Sequence, residues 1–177
     1  MLSLSARSKL ADGQHPFAIL LTCSDSRVPA EIIFDCGLGD LFVVRVAGNV
    51  VAPSLIGSVE FAASTYGSSL VVVMGHTGCG AIKASLDVLR KVDKPVSDNV
   101  HDLVERLMPA VAELATADLP ETEIVKRATR ANIRISTSHM RHGSKLLERM
   151  VYDGKIAIVG AEVSLETGFV DFFDGAE

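Results

Sequence analysis

Cysteine is scarce, proline is scarce, and no apolar run approaches the ~18 residues a membrane helix needs. Three cysteines among 177 residues, an odd number, exclude a disulfide scaffold and leave thiols that are free or bound to metal. Only 6 prolines, with no low-complexity segment, linker or repeat, argue against disorder, as does a hydrophobic fraction of 48%. Blocks of like charge are missing too. The 17 basic and 22 acidic side chains are interspersed, net −5, so no basic stripe for nucleic acid and no polybasic patch for a membrane is expected. Residues 1–7 lack a basic stretch followed by an apolar one, which gives secretion no support and makes a cytoplasmic location the expectation. The length is close to that of one domain, expected over 1–177.

What is present alternates. Short, continuous, β-branched-rich runs at 17–22, 41–46, 70–75 and 155–160 read as strands buried on both faces, with a last short strand at 168–173. Between them, 53–66, 81–91, 99–116 and 121–151 carry apolar residues at helical spacing, the last broken near Gly143. Strands alternating with helices predict an α/β fold, three layers α/β/α around a central, mainly parallel sheet. In such sheets, sites form outside the carboxyl ends of the strands.

Two of those ends carry chemistry. The first run ends in Thr22-Cys23-Ser24-Asp25-Ser26-Arg27, and the third in Gly75-His76-Thr77-Gly78-Cys79-Gly80. Cys23 and His76 therefore reach one edge of the sheet, and Cys79, three residues beyond His76, falls on the same side of a turn. Two sulfurs and one imidazole suit zinc and leave a tetrahedral ion one open position, the mark of a catalytic site. Buried thiols and a capping histidine are an equally ordinary use of these residues, and spacing alone leaves both readings standing. Asp25 could take the fourth position or accept a hydrogen bond there, with Arg27 holding it ionised. Cys36 reads as a small buried hydrophobe.

Taken together, Cys23-x-Asp25-x-Arg27-Val28-Pro29, Gly39-Asp40-Leu41-Phe42-Val43-Val44-Arg45 and Gly75-His76-x-x-Cys79-Gly80 closely resemble the β-class carbonic anhydrases. The similarity runs from Gly13-Gln14 to Leu165-Glu166-Thr167-Gly168. It implies one zinc ion per chain on Cys23, His76 and Cys79, with Asp25 and Arg27 orienting the nucleophile. Asp25 would bind the ion instead in a closed state. The resemblance further implies substrate contacts from Gln14, Phe42 and the backbone N–H of Gly80. Phe61 stands where the family often has tyrosine, making the pocket wall more apolar. Leu20 stands where allosteric members have the tryptophan of a regulatory bicarbonate pocket, so inhibition of that type is not expected. The family's helical arm before the Gly-Gln segment is shortened here, and a homodimer or homotetramer with sites near the subunit interface is implied.

The activity implied is reversible hydration of carbon dioxide to bicarbonate and a proton by hydroxide generated at zinc. Two thiolates offset the charge of the ion, so an alkaline-shifted pH–activity profile is expected. No histidine besides His76 is placed near the motifs by spacing; His15, next to Gln14, is the one that could approach the mouth, and proton export to buffer is expected. Hydrolysis of carbonyl sulfide or carbon disulfide on the same fold and site is the alternative. A nucleotide-binding module is a weaker one, because Gly75-x-x-Gly78-x-Gly80 is followed by no Lys-Ser/Thr pair.

Overall fold

The computed structural model describes residue 8 and residues 10–175; the opening stretch 1–7 lies outside the described residues. Five strands form one sheet: β1 (Ala18–Thr22), β2 (Leu41–Arg45), β3 (Leu70–His76), β4 (Ala157–Val163) and β5 (Val170–Asp174), in the order β2-β1-β3-β4-β5. The first four are parallel and β5 returns antiparallel to β4. Every residue of β1 is buried, as a central parallel strand covered on both faces requires.

Helices α1 (Ala30–Ile33), α2 (Pro53–Tyr66), α3 (Gly80–Leu89), α4 (Asp98–Val111), α5 (Glu121–His142) and α6 (Lys145–Tyr152) complete the layers. On one face Leu20, Val72 and Val159 pack with Ile82 and Leu86 of α3, Leu107 of α4 and Val125 of α5. On the other, Ile19, Val71 and Ile158 pack with Val59 and Ala62 of α2, Met140 of α5 and Leu147 of α6. Each such side chain contributes about 1.5–3 kcal/mol by leaving water. The expected three-layer α/β/α class is the one observed.

The break expected near Gly143 within 121–151 is present, because Gly143 caps α5 and Ser144 starts α6 by accepting from the Leu147 N–H, whereas two other boundaries differ by several residues. The helix expected over 99–116 stops at Val111, and Leu114, Ala115 and Leu119 reach the core from turns that lead to Pro120. The strand expected at 155–160 begins and ends later, because Glu162 and Val163 pair with Gly75 and His76. That shift matters for the site: β4 flanks β3 as far as the histidine. Among the described residues, no helix is long and apolar enough to cross a membrane.

Candidate metal centre

β1 ends at Thr22 and β3 at His76, so the chain leaves the sheet at Cys23 and at Thr77 side by side. From His76 the backbone turns through Gly78, at φ +66, a conformation glycine adopts without a Cβ penalty, and enters α3 with Cys79 as its cap residue. The result is a buried cluster. Cys23 Sγ, a ring nitrogen of His76 and Cys79 Sγ lie within 4.8 Å of one another.

The imidazole shows how the cluster is wired. Its Nδ1 lies 3.0 Å from the Thr77 carbonyl, which can only accept, so Nδ1 carries the proton and Nε2 keeps its lone pair. Nε2 is buried and has no hydrogen-bond partner. An unpaired acceptor in a dry site costs free energy unless something occupies it, and a cation between two sulfurs would. Burial disfavours charge on this ring, but the close Cys23 sulfur and its negative charge outweigh that and push His76 above the ordinary histidine range, and a cation on Nε2 would take the place of the second proton.

The two sulfurs lie close together, and that closeness, with burial, pushes the Cys79 thiol up; the same closeness, aided by His76 and the N–H groups of Asp25 and Gly48, holds Cys23 down against its own burial, so that one proton is favoured on the pair. At the start of α3 the N–H groups of Ile82 and Ala81 also face Cys79. Amides aimed at both sulfurs prepare them for thiolate charge, which a divalent ion would balance once the shared proton leaves. The residues present therefore fit a zinc ion.

Asp25 stands over the cluster, with Oδ2 3.8 Å from His76 Nε2. Arg27 grips it: its backbone N–H and Nε donate to Oδ1, both at 2.9 Å, and Nη2 donates to Oδ2 at 2.7 Å. That fork holds the Asp25 carboxyl well below the usual carboxylate range. With three bonds to Arg27, Asp25 is arranged as a held carboxylate beside the cluster.

Two contributors to the site carry no signal in the spacing argument. Arg45, which closes the apolar run of β2, donates through Nε to the Cys23 carbonyl at 3.1 Å and through Nη2 to the Asp25 carbonyl at 2.6 Å. A charged residue ending a buried strand was the available clue. Gly48, in a 3₁₀ turn at Ala47–Asn49, donates its N–H to Cys23 Sγ at 3.4 Å.

Gly80 is the first residue of α3, next to Cys79, and a side chain there would meet open space. Gln14, Phe42 and Phe61 lie elsewhere. Phe42 pairs with Ile19, four residues before Cys23, which places it about 13 Å back along the sheet. It also packs on the opposite face, with the core of α2 and α6, whereas Cys23 and Cys79 belong to the face of α3 and α4. There Phe42, Phe61 and Tyr66 form a ring cluster with centroids 5.8 to 6.5 Å apart, and Gln14 donates to the Tyr66 hydroxyl at 2.9 Å. Within one chain these residues do not reach the metal cluster. Cys36 is half-buried and its thiol faces the Phe34 carbonyl, away from the other two sulfurs.

A family model described as carbonic anhydrase matches residues 18–170. Carbonic anhydrase 2 of Mycobacterium tuberculosis (strain ATCC 25618 / H37Rv) is 40% identical over 167 residues, covering 94% of this chain and 78% of that protein. Among solved structures, the β-carbonic anhydrase CcaA superposes with a TM-score of 0.85 at 25% identity, over 97% of this chain and 85% of that one. A tetrameric β-carbonic anhydrase from Sordaria macrospora shares the fold, with a TM-score of 0.83 at 23% identity over 94% and 85% of the two chains. The matched span contains the whole Cys–His–Cys cluster and the Asp25–Arg27 pair, and the chain belongs to the β-class carbonic anhydrase family of enzymes.

Proposed function

We propose that this chain catalyses the reversible hydration of carbon dioxide to bicarbonate and a proton, with one zinc ion on Cys23, His76 and Cys79. The observation that carries the reading is the unpaired, buried His76 Nε2 between two sulfurs and beneath a carboxylate fixed by Arg27. What zinc would supply is Lewis acidity, which brings the pKa of water from 15.7 toward about 7.

The rest is the work of this chain. Asp25, held ionised by Arg27, accepts a hydrogen bond from the attacking hydroxyl and so aims its lone pair at carbon. Arg27 prevents the carboxylate from turning away, and Arg45 fixes the backbone from which Cys23 and Asp25 project. The proton released must leave, and the imidazoles on the surface are remote or engaged: His101 faces Glu105 and His142 faces Glu148. Buffer in solution takes it.

Carbon dioxide has no charge to grip, so the site needs an apolar wall. Phe42 and Phe61 supply it from a second copy of the chain, in a homo-oligomer. Phe61 is 52% exposed although its ring is packed against two others, and Phe17 and Leu38 are exposed as well. An open cavity of about 690 Å³ bordered by Gln14, Leu38 and Tyr66 adjoins this face. A tetrameric relative is consistent with such an assembly.

The test is Asp25→Ala, assayed for zinc and for hydration by stopped flow, with carbonyl sulfide and carbon disulfide run beside carbon dioxide. Zinc content should survive while hydration falls by roughly 10²–10³-fold, the loss typical of removing one preorganised polar contact. Persistent activity would remove Asp25 from the mechanism, and a faster rate on either sulfur gas would change the substrate.

A further inference from the structure

Helix α5 buries four polar residues, Thr129, Asn132, Ser136 and Thr137, and its two buried threonines bond back to their own helix. Thr129 donates to the Val125 carbonyl and Thr137 to the Ile133 carbonyl, each four residues back in the same helix. Asn132 does otherwise. It is 2% exposed, and its Nδ2 leaves the helix to donate to the Gly48 carbonyl at 2.8 Å, across 84 residues of sequence. Asparagine is a poor helix former, and a buried amide needs a partner. Here the partner is the turn that holds Cys23.

That turn is unfavourable on its own. Gly48 has φ +70 and the next residue, Asn49, φ +43, two consecutive residues in the left-handed region. Single residues visit that region at some cost, and a pair persists only where neighbours fix it. On the apolar side the neighbours are α3 and α4: a Cβ on Gly48 would stand 3.1 Å from Ala81 Cβ and from Leu107 Cδ1. Those contacts limit how far the turn can approach, but they give it no direction. The Asn132 bond does: it fixes the plane of the peptide that follows Gly48, and with the backbone angles of Gly48 held in the packed turn it orients the preceding peptide, which carries the Gly48 N–H. The N–H of Gly48 then points at Cys23 Sγ, 3.4 Å away.

We infer that Asn132 is a positioning residue for the metal centre: it locks the Gly48 turn so that the Gly48 N–H donates to the Cys23 sulfur. The inference rests on Cys23 being a ligand. It assigns the long helix a share in the site that none of its residues shows by touching the cluster. A hydrogen bond to a ligand sulfur withdraws electron density and fixes the direction of its lone pairs, so the loss should be read in metal affinity and in sulfur-to-metal spectroscopy.

The experiment uses the whole chain. With ¹¹³Cd in place of zinc, the Gly48 amide proton of the wild-type protein should show scalar coupling to the metal nucleus across the N–H···S bond. Asn132→Leu keeps nearly the same volume but has no group that can donate to Gly48. It should lose that coupling, shift the sulfur-to-metal charge-transfer band of the Co²⁺-loaded protein, and weaken Zn²⁺ binding about tenfold in competition with a chelator. Thr129→Val removes a buried hydroxyl from the same helix and should leave all three readouts unchanged. The inference is overturned if the loaded wild type shows no coupling at Gly48, if Asn132→Leu matches wild type in band and affinity, or if Thr129→Val moves them equally. Should Asn132→Leu not fold, Asn132→Ser, too short to reach Gly48, is read in its place with the same expected and overturning outcomes. A wild-type chain that takes up no metal overturns the ligand set and this inference with it, whereas normal uptake without the coupling overturns this inference alone.

Discussion

The cluster at the carboxyl ends of β1 and β3 and the aromatic group of β2 and α2 near the sheet's amino end belong to one layered fold and differ in almost every physical respect. At the carboxyl end, Cys23, His76 and Cys79 are buried, amides are aimed at both sulfurs, and Asp25 is clamped by Arg27, so one chain assembles the whole constellation. At the other end Phe42, Phe61, Tyr66 and Gln14 touch one another, with Phe61 left half in water and an open cavity beside them. The first group is complete without help. The second is an apolar surface, which gains most from burial against another surface. On the proposed function, the difference separates what reacts from what excludes water and leaves the second task to an assembly.

The largest expected effect tests the first region. His76→Ala removes the only nitrogen of the ligand set and should abolish zinc binding together with activity, a fall of a thousandfold or roughly more, measured by metal analysis and stopped flow on one sample. The next sets the two regions against each other. Phe61→Glu should fold, because the side chain is exposed, yet lose about a hundredfold in hydration by putting charge where carbon dioxide must pass. Refolding it together with His76→Ala should restore about a quarter of wild-type activity, since half the dimers then hold one intact site of two. A mixture no better than its parents would return the aromatic group to plain packing.

Arg27→Lys replaces a two-pronged grip on Asp25 by a point charge, and about a tenfold fall in kcat at full zinc content is expected. Equal loss of zinc would instead make Arg27 part of the metal site's structure. The pH profile should rise between about pH 6 and 9, because a ligand set with two thiolates delays ionisation of water, and Asp25, held far below neutrality, contributes no acid limb of its own in that window. A flat profile would count against the two-sulfur set. The smallest effect is expected at Cys36. Cys36→Ser should leave zinc content and rate unchanged and alter stability by under about 1 kcal/mol, checked by thermal melts beside the metal assay.

Much of this was written in the order of residues. The runs around Leu20, Val72 and Ile158 are apolar on every position because both faces of a parallel strand are covered, so strand, layer and sheet type follow from composition. The meeting of Cys23 and His76 follows too, since a strand that leads into Cys23 and another that ends in His76 must deliver both to one edge. What fell short did so for reasons of pairing. The end of β4 depends on how far β3 offers it a partner, and the stop of α4 depends on turns that lead to Pro120. Asn132 and Arg45 carried too little local pattern to be singled out as parts of the site.

The sequence by itself determined the elements, the donor atoms and the Asp-x-Arg fork, because each rests on a short stretch of chain whose geometry is set by periodicity and reach. Only the tertiary structure decided that Phe42 and Phe61 lie on the far face of the sheet, that Arg45 holds the backbone of Cys23, and that an amide from α5 grips the Gly48 turn. Those relations join residues far apart in sequence, and such contacts are fixed by how layers pack rather than by any local preference of the chain.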